Sequence, residues 1–144
     1  MRNKVLNITC VFIFLSFWNV SASQTSQIYD GDTINVVDEN NMKQGHWIYF
    51  GNMKNIPGYS PDQKVEEGSF KNNRKSGAWT KYFADESTKS VIEYINNRPN
   101  GAYKIYYENG VIQEQGIWKN NRNIGAFVRK YPNGQVQQAF SFSE

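Results

Sequence analysis

The chain has 144 residues and a formal net charge of +3, which makes a single domain the natural size. Arg2 and Lys4 fall in a leader-like start. With that leader (positions 1–22) set aside, 16 basic side chains become 14 against 13 acidic ones, a net +1, and overall charge gives no argument for nucleic-acid binding. The single cysteine, Cys10, leaves with the same segment, so the rest of the chain has no disulfide and no thiolate for catalysis or zinc.

Met1 to Lys4 is a short basic start, and Val5 to Trp18 is a mostly apolar run interrupted by Asn7 and Thr9. Val20-Ser21-Ala22 then presents the small residues that signal peptidase requires, which predicts a signal peptide over residues 1–22 cleaved after Ala22. The run is short of the roughly 20 apolar residues of a membrane span. Cys10 lies inside it, not at its end where a lipid-attachment cysteine belongs. The expectation is an exported protein, periplasmic, outer-envelope or extracellular, whose working part is residues 23–144.

Ser23 to Gln27 is small and polar and reads as a frayed lead-in. Asp30-Gly31-Asp32 reads as a turn, because a calcium loop would continue with a ladder of ligands and a closing glutamate. Thr33 to Val37 is β-branched and apolar and predicts a strand ending in the turn Asp38 to Asn41. From Lys43 onward a unit recurs. Its anchors are Gly45, Gly77, Gly101 and Gly125, at successive intervals of 32, 24 and 24. Two residues after each anchor stands an aromatic: Trp47, Trp79, Tyr103 and Phe127. Six residues after the last three stand Phe83, Tyr107 and Tyr131, and seven residues before an anchor stand Phe70, Tyr94 and Trp118, with Phe142 in the equivalent place.

The intervals of two and six share parity, so on a strand after each glycine those aromatics lie on one face, and helical spacing fails. An even period of 24 keeps every copy facing the same way. Asn109-Gly110 and Asn133-Gly134 are pairs that tight hairpins favour, both central positions accepting positive φ. The 32-residue gap holds eight extra residues, placed in Gly51 to Gln63 by Pro57-Gly58 and Pro61, and such an insertion emerges on one face of a repeat array. The prediction is an all-β protein: tandem antiparallel β-hairpin repeats stacked into an elongated, twisted single sheet.

At Gly116 to Asn120, Gly125-Ala126-Phe127 and Tyr131 to Gly134 the chain resembles the MORN repeat, in the short bacterial variant of secreted and antitoxin-like proteins. The resemblance runs from about Lys43 to Phe142 and implies stacked hairpins. It names no ligand. The glycine usual two residues after the anchor is an aromatic here, and the glycine before the strand aromatic is kept at Gly68 and Gly116 but is Ile92 between them.

Little in the sequence suggests catalysis. His46 is the single histidine, no serine sits in a nucleophile elbow, and there is no phosphate-loop or metal-ligand spacing. Sequence-adjacent carboxylates such as Glu66-Glu67 point to opposite faces of a strand. Thus no catalytic residue, metal or cofactor is expected. The recurring polar feature is Arg74, Arg98 and Arg122, each after Asn-Asn and each one period from the next. At ~4.8 Å per strand this makes a row spaced by about 10 Å. The row is either solvated turn neighbours or a ladder for an anionic surface. Tyr82 and Tyr106 on the face away from the aromatics, and Tyr59 in the insertion, are the remaining candidate binding residues. The leading expectation is a non-catalytic scaffold binding an unidentified protein through its sheet surface, its edge or the Gly51–Gln63 loop. The C-terminal strand ending Phe140-Ser141-Phe142 adds a homodimer by edge pairing. The alternative is recognition of a glycan or an anionic membrane surface.

Overall fold

The computed structural model describes residues 6–9 and 23–143. They form an 11-stranded sheet in which every strand pairs antiparallel with the next in the chain. The strands are β1 (Leu6–Thr9), β2 (Thr25–Tyr29), β3 (Asp32–Val37), β4 (Lys43–Phe50), β5 (Lys64–Lys71) and β6 (Arg74–Tyr82). They continue as β7 (Thr88–Ile95), β8 (Arg98–Tyr106), β9 (Ile112–Lys119), β10 (Arg122–Lys130) and β11 (Val136–Phe142). The predicted single sheet of stacked hairpins is what forms. The polar stretch from Ser23 is not frayed throughout, because Thr25 to Gln27 pair with β3 on one side and with β1 on the other. β1 lies in the segment read as a signal peptide.

Two kinds of turn alternate, and their chemistry differs from the sequence reading. Within the repeats the tight two-residue turns are Asn-Asn: Asn72-Asn73, Asn96-Asn97 and Asn120-Asn121 all have both φ values between +51° and +67°, and Asp30-Gly31 turns likewise between β2 and β3. This is the double left-handed conformation that the strand twist selects, and asparagine tolerates it better than most side chains. The Asn-Gly pairs sit in longer turns. In Tyr107–Val111 and Tyr131–Gln135 the amide of the glycine returns to the first carbonyl, and only Gly110 (+79°) and Gly134 (+84°) are left-handed. Their asparagines have ordinary φ. The same turn recurs at Asp38–Met42 with Asn41 and at Phe83–Ser87 with Glu86 in the left-handed place. The stretch around Ala84 therefore keeps the turn and loses only its glycine.

The second asparagine of each tight turn also ties hairpins together. Asn73 Oδ1 accepts from the Lys43 amide at 2.7 Å while its own amide donates back to Lys43 O. Asn97 does the same to Lys75, with its Oδ1 at 2.6 Å. The next position in the series is Pro99, which has no N–H to give, and Asn121 makes no such pair among the described residues.

The anchor glycines lie inside strands, not at hairpin turns. Gly45, Gly77, Gly101 and Gly125 have φ of +66°, +70°, +120° and +60° and face Phe70, Tyr94, Trp118 and Phe142 across the ladder. Beside them the register slips, between Glu67 and Ser69, Ile92 and Tyr94, and Ile124 and Val128. They are bulge positions, where left-handed backbone needs glycine and an aromatic from the neighbouring strand covers the gap.

Trp47, Trp79, Tyr103 and Phe127 are all buried, as their spacing predicts. They pack in three groups of rings, Trp47 on Phe70 at 5.6 Å and Phe70 on Trp79 at 4.9 Å, then Tyr103 on Trp118 at 5.3 Å, then Phe127 on Phe140 at 4.8 Å. The second expected row is not core. Phe83 and Tyr107 are half-buried and Tyr131 is 47% exposed. Register shifts at Lys81/Tyr82, Ile105/Tyr106 and Arg129/Lys130 come between the two rows and re-aim the residues beyond them. A small separate core of Ile34, Ile48 and Phe50 with Tyr29 closes the N-terminal end. There the buried Asn35 (φ +54°) holds β4 with its amide, accepting from Ile48 N at 2.8 Å and donating to Ile48 O at 3.0 Å.

The insertion is where expected. Gly51 N bonds Gln63 O at 2.9 Å, enclosing the single-turn helix α1 (Gly51–Lys54). Tyr59 donates its hydroxyl to Tyr82 O at 2.7 Å, as Tyr107 donates to Lys130 O at 2.9 Å, both reaching the same distance ahead in the chain. The repeat period therefore resumes at Tyr59, and the extra residues precede it.

Candidate functional site

The tryptophan side of the sheet concentrates its positive charge between the insertion and β6. Strand alternation puts Trp47 and Tyr49 of β4, Glu66 of β5, and Lys75, Trp79 and Lys81 of β6 on this side. Glu66 is buried among three ammoniums: Lys75 at 3.0 Å, Lys54 of α1 at 3.6 Å and Lys81 at 3.9 Å. Lys43 completes the group, donating to the Tyr49 hydroxyl at 2.7 Å. The lysines stand over the aromatic floor, Lys75 3.8 Å from the Trp79 ring centre, Lys54 4.0 Å from Tyr49 and Lys43 4.6 Å from Trp47. Three positive charges thus share one carboxylate, with a fourth close by on Tyr49. Burial pushes the Lys75 ammonium below its ordinary range, Glu66 opposes that, and Lys81 and Lys54 add their repulsion. An anion arriving here would complete an unbalanced set of charges.

Glu67, next in sequence, points to the other side. Its carboxylate accepts from Lys64 at 3.0 Å and from the Tyr82 hydroxyl, with His46 Nε2 at 3.6 Å. Burial by itself would raise the Glu67 carboxyl, but these donors outweigh it and hold it below the usual range. Burial and the same carboxylate push the Tyr82 phenol well up. The adjacent glutamates therefore anchor two clusters on opposite faces.

The position of Glu66 recurs with the repeat. Ser90, one period on, is buried, and Glu114 stands a further period along. Glu114 is gripped by Arg129, Nε at 3.0 Å and Nη2 at 2.6 Å, and accepts from the Tyr103 hydroxyl at 2.9 Å. Here one cation meets one carboxylate and the pair is balanced. The excess positive charge on this face belongs to the β4–β6 end.

The residues singled out from the sequence take other places. Arg74, Arg98 and Arg122 are exposed first residues of β6, β8 and β10, opposite Lys71, Ile95 and Lys119, and their side chains make no hydrogen bond or ion pair among the described residues. They form the expected row at one end of the strands, apart from the lysine cluster. Tyr82 is bound to Glu67 and Tyr59 to the Tyr82 carbonyl, while Tyr106 is half-buried opposite Ile112. Sequence reasoning misses Lys43, Lys75 and Lys81 although a signal for them exists. They lie two residues before or four after an anchor, on the parity of the aromatics. Lys54 has no such signal, because the insertion lies outside the period.

Residues 99–120 match the MORN repeat variant family. No curated protein matches the chain. The matched segment is the β8–β9 hairpin with the Asn120 turn, the unit whose register, anchor glycine and covering aromatic recur in the hairpins beside it. The chain thus carries a MORN-type repeat at residues 99–120, within an all-β array of antiparallel hairpins.

Proposed function

We propose that this protein is an exported, non-catalytic scaffold that holds an acidic segment of another protein on the lysine-lined face of β4 to β6. The observation that carries this reading is the charge imbalance around Glu66, three ammoniums within 3.9 Å of one buried carboxylate and a fourth nearby over an aromatic floor. Carboxylates on an extended segment supply the missing charge, and its apolar side chains meet the half-buried Tyr49 beside the lysines. Export is supported by the basic start, apolar run and Val20-Ser21-Ala22. Cleavage there would also remove β1 and leave β2 as the N-terminal edge.

The test is titration of the purified protein with an oligoglutamate peptide, followed by tryptophan fluorescence, since Lys75 lies against Trp79. Lys54→Gln with Lys81→Gln leaves the Lys75–Glu66 pair in place and should weaken binding about tenfold, with strong salt dependence. Replacing Arg74, Arg98 and Arg122 by Gln should not. A second reading, recognition of a glycan or an anionic membrane surface through the arginine row, draws on the exposed, unpaired state of those three residues. It predicts the opposite pattern, with retention on heparin or phosphatidylglycerol vesicles lost in the arginine variant and kept in the lysine one. Equal binding by wild type and both variants would overturn both readings.

A further inference from the structure

We infer that β11 is a self-pairing edge, joining two copies of the chain into a two-fold dimer whose sheets run continuously through the contact. The strand is the last of the sheet among the described residues, and its seven residues, VQQAFSF, contain no charge and no proline. Soluble proteins guard such edges with lysine, proline or a bulge, because free N–H and C=O groups template another strand. Here the register shift against Arg129 and Lys130 confines irregularity to the start of the strand. Gln138 to Phe142 remains a regular run.

The self-complementary register is specific. A two-fold axis through Phe140 sets Phe140 against its own copy, Gln138 against Phe142, and Ala139 against Ser141. Phe140 is 48% exposed and already lies 4.8 Å from Phe127 and 4.9 Å from Phe142, so the aromatic row reaches the edge and stops there. Antiparallel pairing keeps even residues opposite even residues, so the row of one copy meets the row of the other on one face. A net charge near +1 for residues 23–144 sets no repulsion against a second copy. A two-fold contact makes each new backbone bond twice and closes after one partner, with no growing filament.

The experiment uses two double variants at the exposed Ala139 and Ser141, which lie opposite each other in this register only. Ala139→Lys with Ser141→Lys places like charges against each other twice. Ala139→Lys with Ser141→Glu places opposite charges there. Sedimentation of the wild type across concentration should show monomer passing to dimer. The Lys/Lys variant should stay monomeric with an unchanged circular-dichroism spectrum, and the Lys/Glu variant should dimerise in a salt-sensitive way. Wild type that remains monomeric at every concentration, or two variants that associate alike, would overturn the inference. None of these residues contacts the lysine cluster, so its outcome is independent of peptide binding.

Discussion

Gly68 is the residue at which this packing scheme is most exposed to a single methyl group. Its φ lies outside the left-handed region, so alanine meets no backbone strain, and loss of unfolded-state freedom would favour the variant by about 0.4–1 kcal/mol. Space decides otherwise. A Cβ at Gly68 would stand 2.5 Å from Cε2 and 2.6 Å from Cγ of Trp79, closer still to Cδ2, against an ordinary contact of about 3.5–4.0 Å. Trp79 cannot step aside freely, being buried with Phe70 against one edge, Lys75 on its face and its indole N–H on Ser69 O at 3.1 Å. Overpacking of this kind costs about 1–3 kcal/mol, and losing the indole bond adds about 1 kcal/mol. Gly68→Ala should therefore lose roughly 1–3 kcal/mol net, read by urea denaturation, with a change in the near-ultraviolet tryptophan signal. Gly116 is the control. Its Cβ would meet the rim of Tyr103 at 3.0–3.2 Å, so Gly116→Ala should stay within about 1 kcal/mol of wild type. Gly68→Ala as stable as wild type with an unchanged tryptophan spectrum would refute the account of Trp79 lying across a glycine.

Two further predictions use the same denaturation assay. Asn73→Gly and Asn97→Gly keep the left-handed turn and delete the side-chain bond to Lys43 or Lys75, so each should cost about 0.5–1.5 kcal/mol, whereas Asn121→Gly, opposite Pro99, should be nearly neutral. Equal losses at all three would show that the turn and not the inter-hairpin bond is what matters. Tyr82→Phe tests the Glu67 cluster through pH. The Glu67 carboxyl is held below its ordinary 4.5, so its contribution is complete above that value and is lost as pH falls through the lower folded-state value. The Tyr82 phenol is raised from 10.0, so its contribution is complete below that pH and is lost as the solution becomes more alkaline. Tyr82→Phe should cost about 1 kcal/mol at neutral pH, a half-exposed pair being partly screened, and should move acid unfolding to higher pH and flatten the alkaline limb. An acid midpoint identical to wild type would remove Tyr82 from the cluster.

The hairpin repeat is legible because its signals are local and periodic. A glycine, an aromatic two residues on and an even period suffice to put Trp79, Tyr103 and Phe127 on one side of adjacent hairpins. What misleads is chemistry that two backbones share. Asn109-Gly110 looks like the tight two-residue turn, yet it sits in a longer connection while Asn96-Asn97 makes the tight one, because the length of each connection selects the turn type. Tyr131 follows the parity of Phe127 but comes after a bulge, and a bulge cannot be read from one strand alone. The lysine cluster is hidden for another reason. Lys54 and Lys75 are distant in the chain, with all of β5 between them, and meet only because the insertion folds back beside Glu66.

The lysines also answer a problem that the fold creates. A single sheet has no second layer, yet Trp47, Trp79, Tyr103 and Phe127 are almost wholly removed from water. Neighbouring rings cover part of each, and the remainder at the β4–β6 end is roofed by the lysine stems. Their aliphatic length shields the rings while the ammoniums gain from ring faces and from Glu66. At the β9–β11 end Arg129 has that role over Phe127, with Glu114 beside it. A roof of long cations is balanced where each meets one carboxylate and carries net positive charge where cations outnumber carboxylates. The arrangement that allows one layer to bury its aromatics is therefore also the one that, around Glu66, leaves the excess positive charge on which the proposed binding of an acidic segment rests.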